Sequence, residues 1–151
     1  MSQWWIEEPI LLGSRNPTER ELEVLYHEGF RTIISLLDED ESPYYDPKKM
    51  EEMGFNRYSI PIRDFTAPTL ADFKKFLDIV SDSLKQGKVL VHCQGGMGRT
   101  GTMAAAYWIK KGLSAKNAIA KVRKSRLGAI ESPEQEEALH RLEASIKRGE
   151  R

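Results

Sequence analysis

The segment that most limits what this chain can fold into is Val89-Leu90-Val91-His92-Cys93-Gln94-Gly95-Gly96-Met97-Gly98-Arg99-Thr100-Gly101-Thr102. Its apolar, β-branched start suits a short buried strand, its glycines demand a turn, and the residues after them have a helical period. In a strand–turn–helix of this kind the glycines let successive backbone N–H groups face inward as an anion nest, and the helix N-terminus adds positive potential. Such a cradle fits the equatorial oxygens of a phosphoryl group. Arg99, where the turn closes, can hold two of those oxygens with its planar fork, which lysine cannot do. Cys93 sits at the base, where the same field favours a thiolate aimed at phosphorus. By adjacency, His92 is expected to hold the loop backbone and Thr100 to hydrogen-bond the sulfur. Gln94, Gly95, Gly96, Met97 and Gly98 are expected to line the cradle with Arg99. The segment lacks the Gly-Lys-Ser/Thr ending of a nucleotide-binding P-loop, so the expected ligand is a phosphoester.

Composition narrows the alternatives. The chain has 151 residues and one cysteine, which excludes an internal disulfide framework and a cysteine-rich zinc site. Its 23 basic and 23 acidic side chains cancel, so no global positive field exists to hold a polyanion, and nucleic acid is not an expected partner. The N-terminus has neither the basic start nor the apolar stretch of a secretory signal, and the longest apolar run, residues 103–109, is too short to span a bilayer. The expectation is a cytoplasmic monomer with no membrane, metal or cofactor requirement, folded as a single domain over residues 1–151.

Along the chain, strands alternate with helices. A strand is expected at residues 10–13, and a capping box from Thr18 to Glu21 starts a helix with Leu22, Leu25 and Tyr26 inward, stopped by Gly29. Residues 32–37 read as a buried strand, the acidic residues 38–41 as a solvated loop, Met50 and Met53 as part of a short helix, and residues 58–62 as another strand. Thr69 caps a helix with Leu70, Phe73, Leu77, Val80 and Leu84 at core spacing, ended by Gly87, and residues 88–92 form the strand before the cradle. Helical periods then cover residues 100–111, 115–125 and 133–148. This order implies an α/β fold: a central, mostly parallel sheet flanked by helices, with a helical C-terminal block. His27 and His140 stand alone in helical contexts and read as structural, and Trp4, Trp5 and Trp108 as packing. Arg123 and Arg126, three apart and near one helix face, could support the loop or meet a second anionic group, with a solvated face as the default reading.

His92-Cys93 through Arg99-Thr100-Gly101 resembles the H-C-x5-R-[ST]-G signature of the cysteine-dependent protein tyrosine phosphatases, and residues 10–142 are similar to the small atypical dual-specificity members. The resemblance implies a protein-tyrosine-phosphatase-like fold and a metal-free, two-step hydrolysis through a cysteinyl-phosphate. Its substrates would be phosphorylated proteins, carrying phosphotyrosine and, if the site is shallow, phosphoserine or phosphothreonine. Expelling the leaving oxygen needs a proton donor. Asp64, in a loop directly after a strand, resembles the family's general acid, although Arg63 stands where many relatives have proline. Asp38 and Asp40 fit the solvated loop better, and Asp72 the first turn of its helix. Glu131 and Gln135 resemble residues that place the second-step water, while Ser132, Pro133 and Gln135 also make a good helix start. An RNA 5′-phosphatase and a phosphoinositide phosphatase use the same loop, a phosphate-binding pseudophosphatase would keep it without turnover, and a rhodanese-like sulfur carrier or arsenate reductase would not need the acid loop. The loop interior carries no lysine or histidine for multiply charged inositol phosphates, and no basic tract for RNA is present.

Overall fold

The computed structural model describes residues 2–149. In chain order the elements are β1 (Gln3–Glu7), β2 (Leu11–Ser14), α1 (Glu19–His27), β3 (Phe30–Ser35), α2 (Pro47–Met53), β4 (Asn56–Ser59), α3 (Leu70–Ser83), β5 (Lys88–His92), α4 (Gly98–Lys110), α5 (Ala115–Ser125) and α6 (Pro133–Lys147). The sheet runs β1-β2-β5-β3-β4. β1 pairs antiparallel with β2, and every other pairing is parallel. The mostly parallel sheet therefore matches the expectation, with β1 as an unexpected antiparallel edge strand.

Side-chain alternation divides the apolar strand residues between two layers. Leu11, Ile34, Val89 and Val91 face the larger core with α3 to α6, whereas Leu12, Ile33 and Leu90 face a smaller one with Leu22 and Leu25 of α1 and Met50 of α2. Both faces are thus covered, as parallel sheets require. Thr18, Thr69 and Ser132 each close a full capping box at the starts of α1, α3 and α6, each contributing about 1 kcal/mol.

Several local expectations shift. Residues 60–62 lie beyond β4, but Ile60 N–H still donates to Ser35 O (2.8 Å) and Ile62 N–H to Leu36 O (3.2 Å), which explains their strand-like, buried pattern. α3 buries Phe73, Phe76 and Val80, while Leu70 is exposed and Leu77 and Leu84 are partly buried. The helix turns Phe76 into the core, because the larger aromatic removes more apolar area from water than Leu77 would.

Candidate active site

Because β2, β5, β3 and β4 are parallel, their C-terminal ends share one edge of the sheet. The segments leaving them therefore converge there, as is usual for sites in parallel α/β sheets. His92 ends β5 and delivers Cys93, Gln94 and the glycines into the first turn of α4. Gly96, with φ of 76°, passes so close to β2 that a Cβ would lie 2.6 Å from Arg15 N, so both backbone angle and space require glycine. Trp4 fastens this turn from β1, its indole Nε1–H donating to Gly96 O at 2.9 Å in a buried bond. Trp4 is thus a loop anchor as well as packing.

Cys93 is buried, and its Sγ accepts from Gly96 N–H at 3.2 Å and from Thr100 Oγ1–H at 3.0 Å. Two donors are thus aimed at one sulfur from the loop backbone and the first turn of α4. The Gln94 side-chain amide is held by Asn16 and by Tyr44 Oη. Gly95 has open space where a Cβ would be.

Arg99 is 1% exposed, and its donors are divided in an informative way. Glu41 takes the outer end of the fork, with Nη1 to Oε1 at 2.6 Å and Nη2 to Oε2 at 3.0 Å, and Nη1 also donates to Ile62 O at 2.9 Å. Nε is buried without a hydrogen-bond partner. The side edge of the guanidinium, formed by Nε–H and the second Nη2–H, is therefore free to take two oxygens of an oxyanion, and Asp64 Oδ1 lies 3.5 Å from Nη2. Burial opposes the arginine's charge, but Glu41, the Cys93 sulfur and Asp64 outweigh it and raise its pKa. Glu41 in turn is held below the usual carboxylate range, chiefly by its hydrogen bonds to Arg99. This corrects the reading of residues 38–41 as a solvated loop: Asp40 is exposed and Asp38 half-buried, but Glu41 turns inward to a partner 58 positions away.

His92 is fully buried, with Nδ1 3.3 Å from Cys93 O and Nε2 2.7 Å from Tyr45 Oη, which accepts from Arg57 Nε–H at 3.0 Å. One assignment satisfies the whole chain: Arg57 donates to Tyr45, Tyr45 to Nε2, and Nδ1–H to the Cys93 carbonyl. Burial, aided by the charges of Arg57 and Arg99, depresses the histidine pKa to about 3. Folding therefore excludes a proton that the unfolded chain binds near pH 6.5. Stability is unaffected by this group above that value and is lost as pH falls from 6.5 towards 3. At pH 5 the loss is about 2 kcal/mol. Thermal unfolding should show a lower Tm at pH 5 than at pH 7, with a smaller difference in His92→Gln; an equal difference in both proteins would contradict this.

Asp64 is about half exposed, and its Oδ1 accepts from Phe65 N–H at 3.0 Å. Phe65 and Ile130 both hold positive φ, 64° and 63°, at the residues next to Asp64 and Glu131. Such turns cost about 1–3 kcal/mol each and persist where surrounding bonds over-determine them. Here Ser132 Oγ–H donates to Phe65 O (2.8 Å), Gln135 Nε2–H to Thr66 O (3.2 Å), and Ile130 N–H to Met97 O (3.2 Å). The Asp64 loop, the start of α6 and the cradle are thereby joined. Glu131 and Gln135 lie directly against Gly98, where a Cβ would collide with Glu131 Oε1 and sit 3.3 Å from Gln135 Nε2. Gln135, fully buried, also caps α6. For Arg123 the contacts favour loop support over the solvated default: it is half-buried and donates to Ala129 O and Ile130 O at 3.0 and 2.9 Å, bracing this turn. Arg126 is partly buried too and donates to Leu127 O.

Glu41, Tyr45, Arg57 and Trp4 are the site-building residues that the sequence did not point to. Each acts through a partner distant in sequence, and none lies in a motif. Among the described residues, no helix is long and apolar enough to cross a membrane.

The architecture and the cradle place the chain among proteins with the protein-tyrosine-phosphatase fold. Tk-PTP in its active form superposes with a TM-score of 0.87 at 36% identity, covering 95% of this chain and 97% of that one. Residues 7–141 match the family described as DSP-PTPase phosphatase fused to NAD+ kinase, and the chain belongs to that family. Among curated relatives it is 39% identical over 93 residues to the human dual specificity protein phosphatase CDC14C, covering 61% of this chain and 20% of that protein. It is 34% identical over 103 residues to the tyrosine-protein phosphatase CDC14 homolog of Schizosaccharomyces pombe, covering 68% of this chain and 19% of that protein. The chain thus spans about a fifth of the length of these curated relatives.

Proposed function

We propose that the chain is a protein phosphatase that hydrolyses phosphotyrosine, and phosphoserine or phosphothreonine where they reach the sulfur, through a cysteinyl-phosphate. The observation that carries this reading is the Cys93 sulfur under two donors, together with a buried arginine whose Nε has no hydrogen-bond partner. In the first step the Cys93 thiolate attacks phosphorus while Arg99 Nε–H and Nη2–H and the loop N–H groups hold the equatorial oxygens. The P–S bond forms, the ester P–O bond breaks, and Asp64 gives its proton to the leaving oxygen. In the second step Asp64 takes a proton from a water placed by Gln135 and Glu131. That water's oxygen bonds to phosphorus, and the P–S bond breaks with Thr100 stabilising the departing sulfur. No metal is assigned a role. The family membership and the names of the curated relatives support a protein substrate, and the five residues between Cys93 and Arg99 carry no cation for a polyphosphorylated headgroup.

Hydrolysis of an aryl phosphate, followed by a panel of phosphopeptides, phosphoinositides and 5′-phosphorylated RNA, tests the activity and the class of substrate. Asp64→Asn should lower kcat by about 10²- to 10⁴-fold, with the larger loss on esters of the more basic leaving groups, which most need a proton. An equal loss on good and poor leaving groups would remove Asp64 from the acid role.

A further inference from the structure

We infer that Asn16 is a positioning residue for the proposed reaction, locking the Cys93–Gln94 corner of the cradle to the segment that carries Glu41. The inference rests on the phosphatase reading of the site. Asn16 lies just beyond β2 and is 0% exposed. Its Nδ2 donates to Ser42 O at 2.9 Å and to Gln94 Oε1 at 3.1 Å, and its Oδ1 accepts from Tyr44 N–H at 3.1 Å. Both donor hydrogens and the acceptor are engaged, and reversing the amide would set like against like at all three contacts. The backbone joins in, with Asn16 N–H donating to Gln94 O at 3.0 Å. Gln94 completes a ring by donating from Nε2 to Tyr44 Oη at 2.5 Å.

One buried amide thus fastens three segments, those leaving β2, β3 and β5. Gln94 follows the nucleophile directly, and Glu41, three residues before Tyr44, grips the outer end of Arg99. Nucleophile and clamp are therefore set relative to each other through a side chain that touches neither. A buried primary amide tolerates little displacement of its partners, because each unmade bond leaves a desolvated polar group. A displacement of about 1 Å at such a site can cost about 10²-fold in rate.

The test compares wild type with Asn16→Ala, Asn16→Asp, Gln94→Ala and the double variant Asn16→Ala/Gln94→Ala, measuring kcat/KM on an aryl phosphate, tungstate affinity and Tm. Asn16→Asp keeps the acceptor for Tyr44 N–H but turns an oxygen towards Ser42 O and Gln94 Oε1, so it separates loss of the donors from loss of volume. Both Asn16 variants should lose about 10- to 100-fold in kcat/KM, with tungstate affinity weakened in parallel. The double variant should be little worse than the poorer single one, since both changes open the same ring. Asn16 variants with a lower Tm but kcat/KM and tungstate affinity within about threefold of wild type would overturn the proposal, as would multiplicative effects of the two substitutions. Failure of both Asn16 variants to fold would assign the residue to stability and also overturn it. A wild-type protein that neither hydrolyses aryl phosphate nor binds tungstate would overturn the phosphatase reading itself.

Discussion

Cys93→Ser should lower the turnover of an aryl phosphate by at least about 10⁴-fold while leaving tungstate or inorganic phosphate binding within about tenfold of wild type. A serine hydroxyl holds its proton near neutral pH, and among the described residues the groups bonded to the sulfur, Gly96 N–H and Thr100 Oγ1–H, are donors that cannot remove it. The oxyanion contacts, in contrast, come from Arg99 and the loop backbone, which the substitution leaves in place. The two readouts must therefore separate, and Tm should change little because the exchange is nearly isosteric. Turnover retained at more than a small percentage of wild type would end the covalent mechanism, and joint loss of turnover and binding would show that the loop had collapsed.

Arg99→Lys should have the second largest effect, a fall of about 10³-fold in kcat/KM with a parallel loss of tungstate affinity. Charge is conserved, so the loss measures geometry. Lysine has no Nε–H beside a second N–H and cannot offer the side edge to two oxygens while its other end serves Glu41 and Ile62 O. The same substitution leaves Glu41 without its bidentate partner, and breaking a buried pair costs about 3–5 kcal/mol, less here because Glu41 is 22% exposed. Kinetics should be measured well below the lowered Tm. A lysine variant within tenfold of wild type in both kcat/KM and tungstate affinity would show that a point charge suffices and that the free guanidinium edge is not the clamp.

The two halves of the site differ in how far they can be seen in the sequence. The strand, the glycines, Cys93, Arg99 and Thr100 lie within the 13 consecutive positions 88–100 of β5 and the start of α4, so local turn and helix geometry already bring them together. Thr100 reaches the sulfur because one turn of helix returns it over the loop. Asp64 can be picked out because it follows a strand without belonging to an acidic run. Glu41 has the opposite context. It sits in four consecutive acidic residues, where a solvated loop is the natural reading, and only the pairing of β3 beside β5 lays that segment against Arg99. Asn16 lies in no motif, and the acceptors of its side-chain amide stand 26 and 78 positions away; for Arg123 loop support could be named, but the turn it braces is defined only once folded against α4.

By itself, then, the sequence determined the α/β alternation, the parallel character of the sheet and the identity of the cradle, because each comes from periods and turn chemistry acting over a few residues. It could not determine which charges are satisfied within the cradle. That was decided by the tertiary structure: parallel strands deliver their C-terminal ends to one edge, so Glu41 and Asp64 reach the buried Arg99 there, while Asn16 and Gln135 tie the surrounding loops together. A buried donor there needs an acceptor, and Arg99 Nε, which has none among the described residues, is the donor available to the proposed substrate.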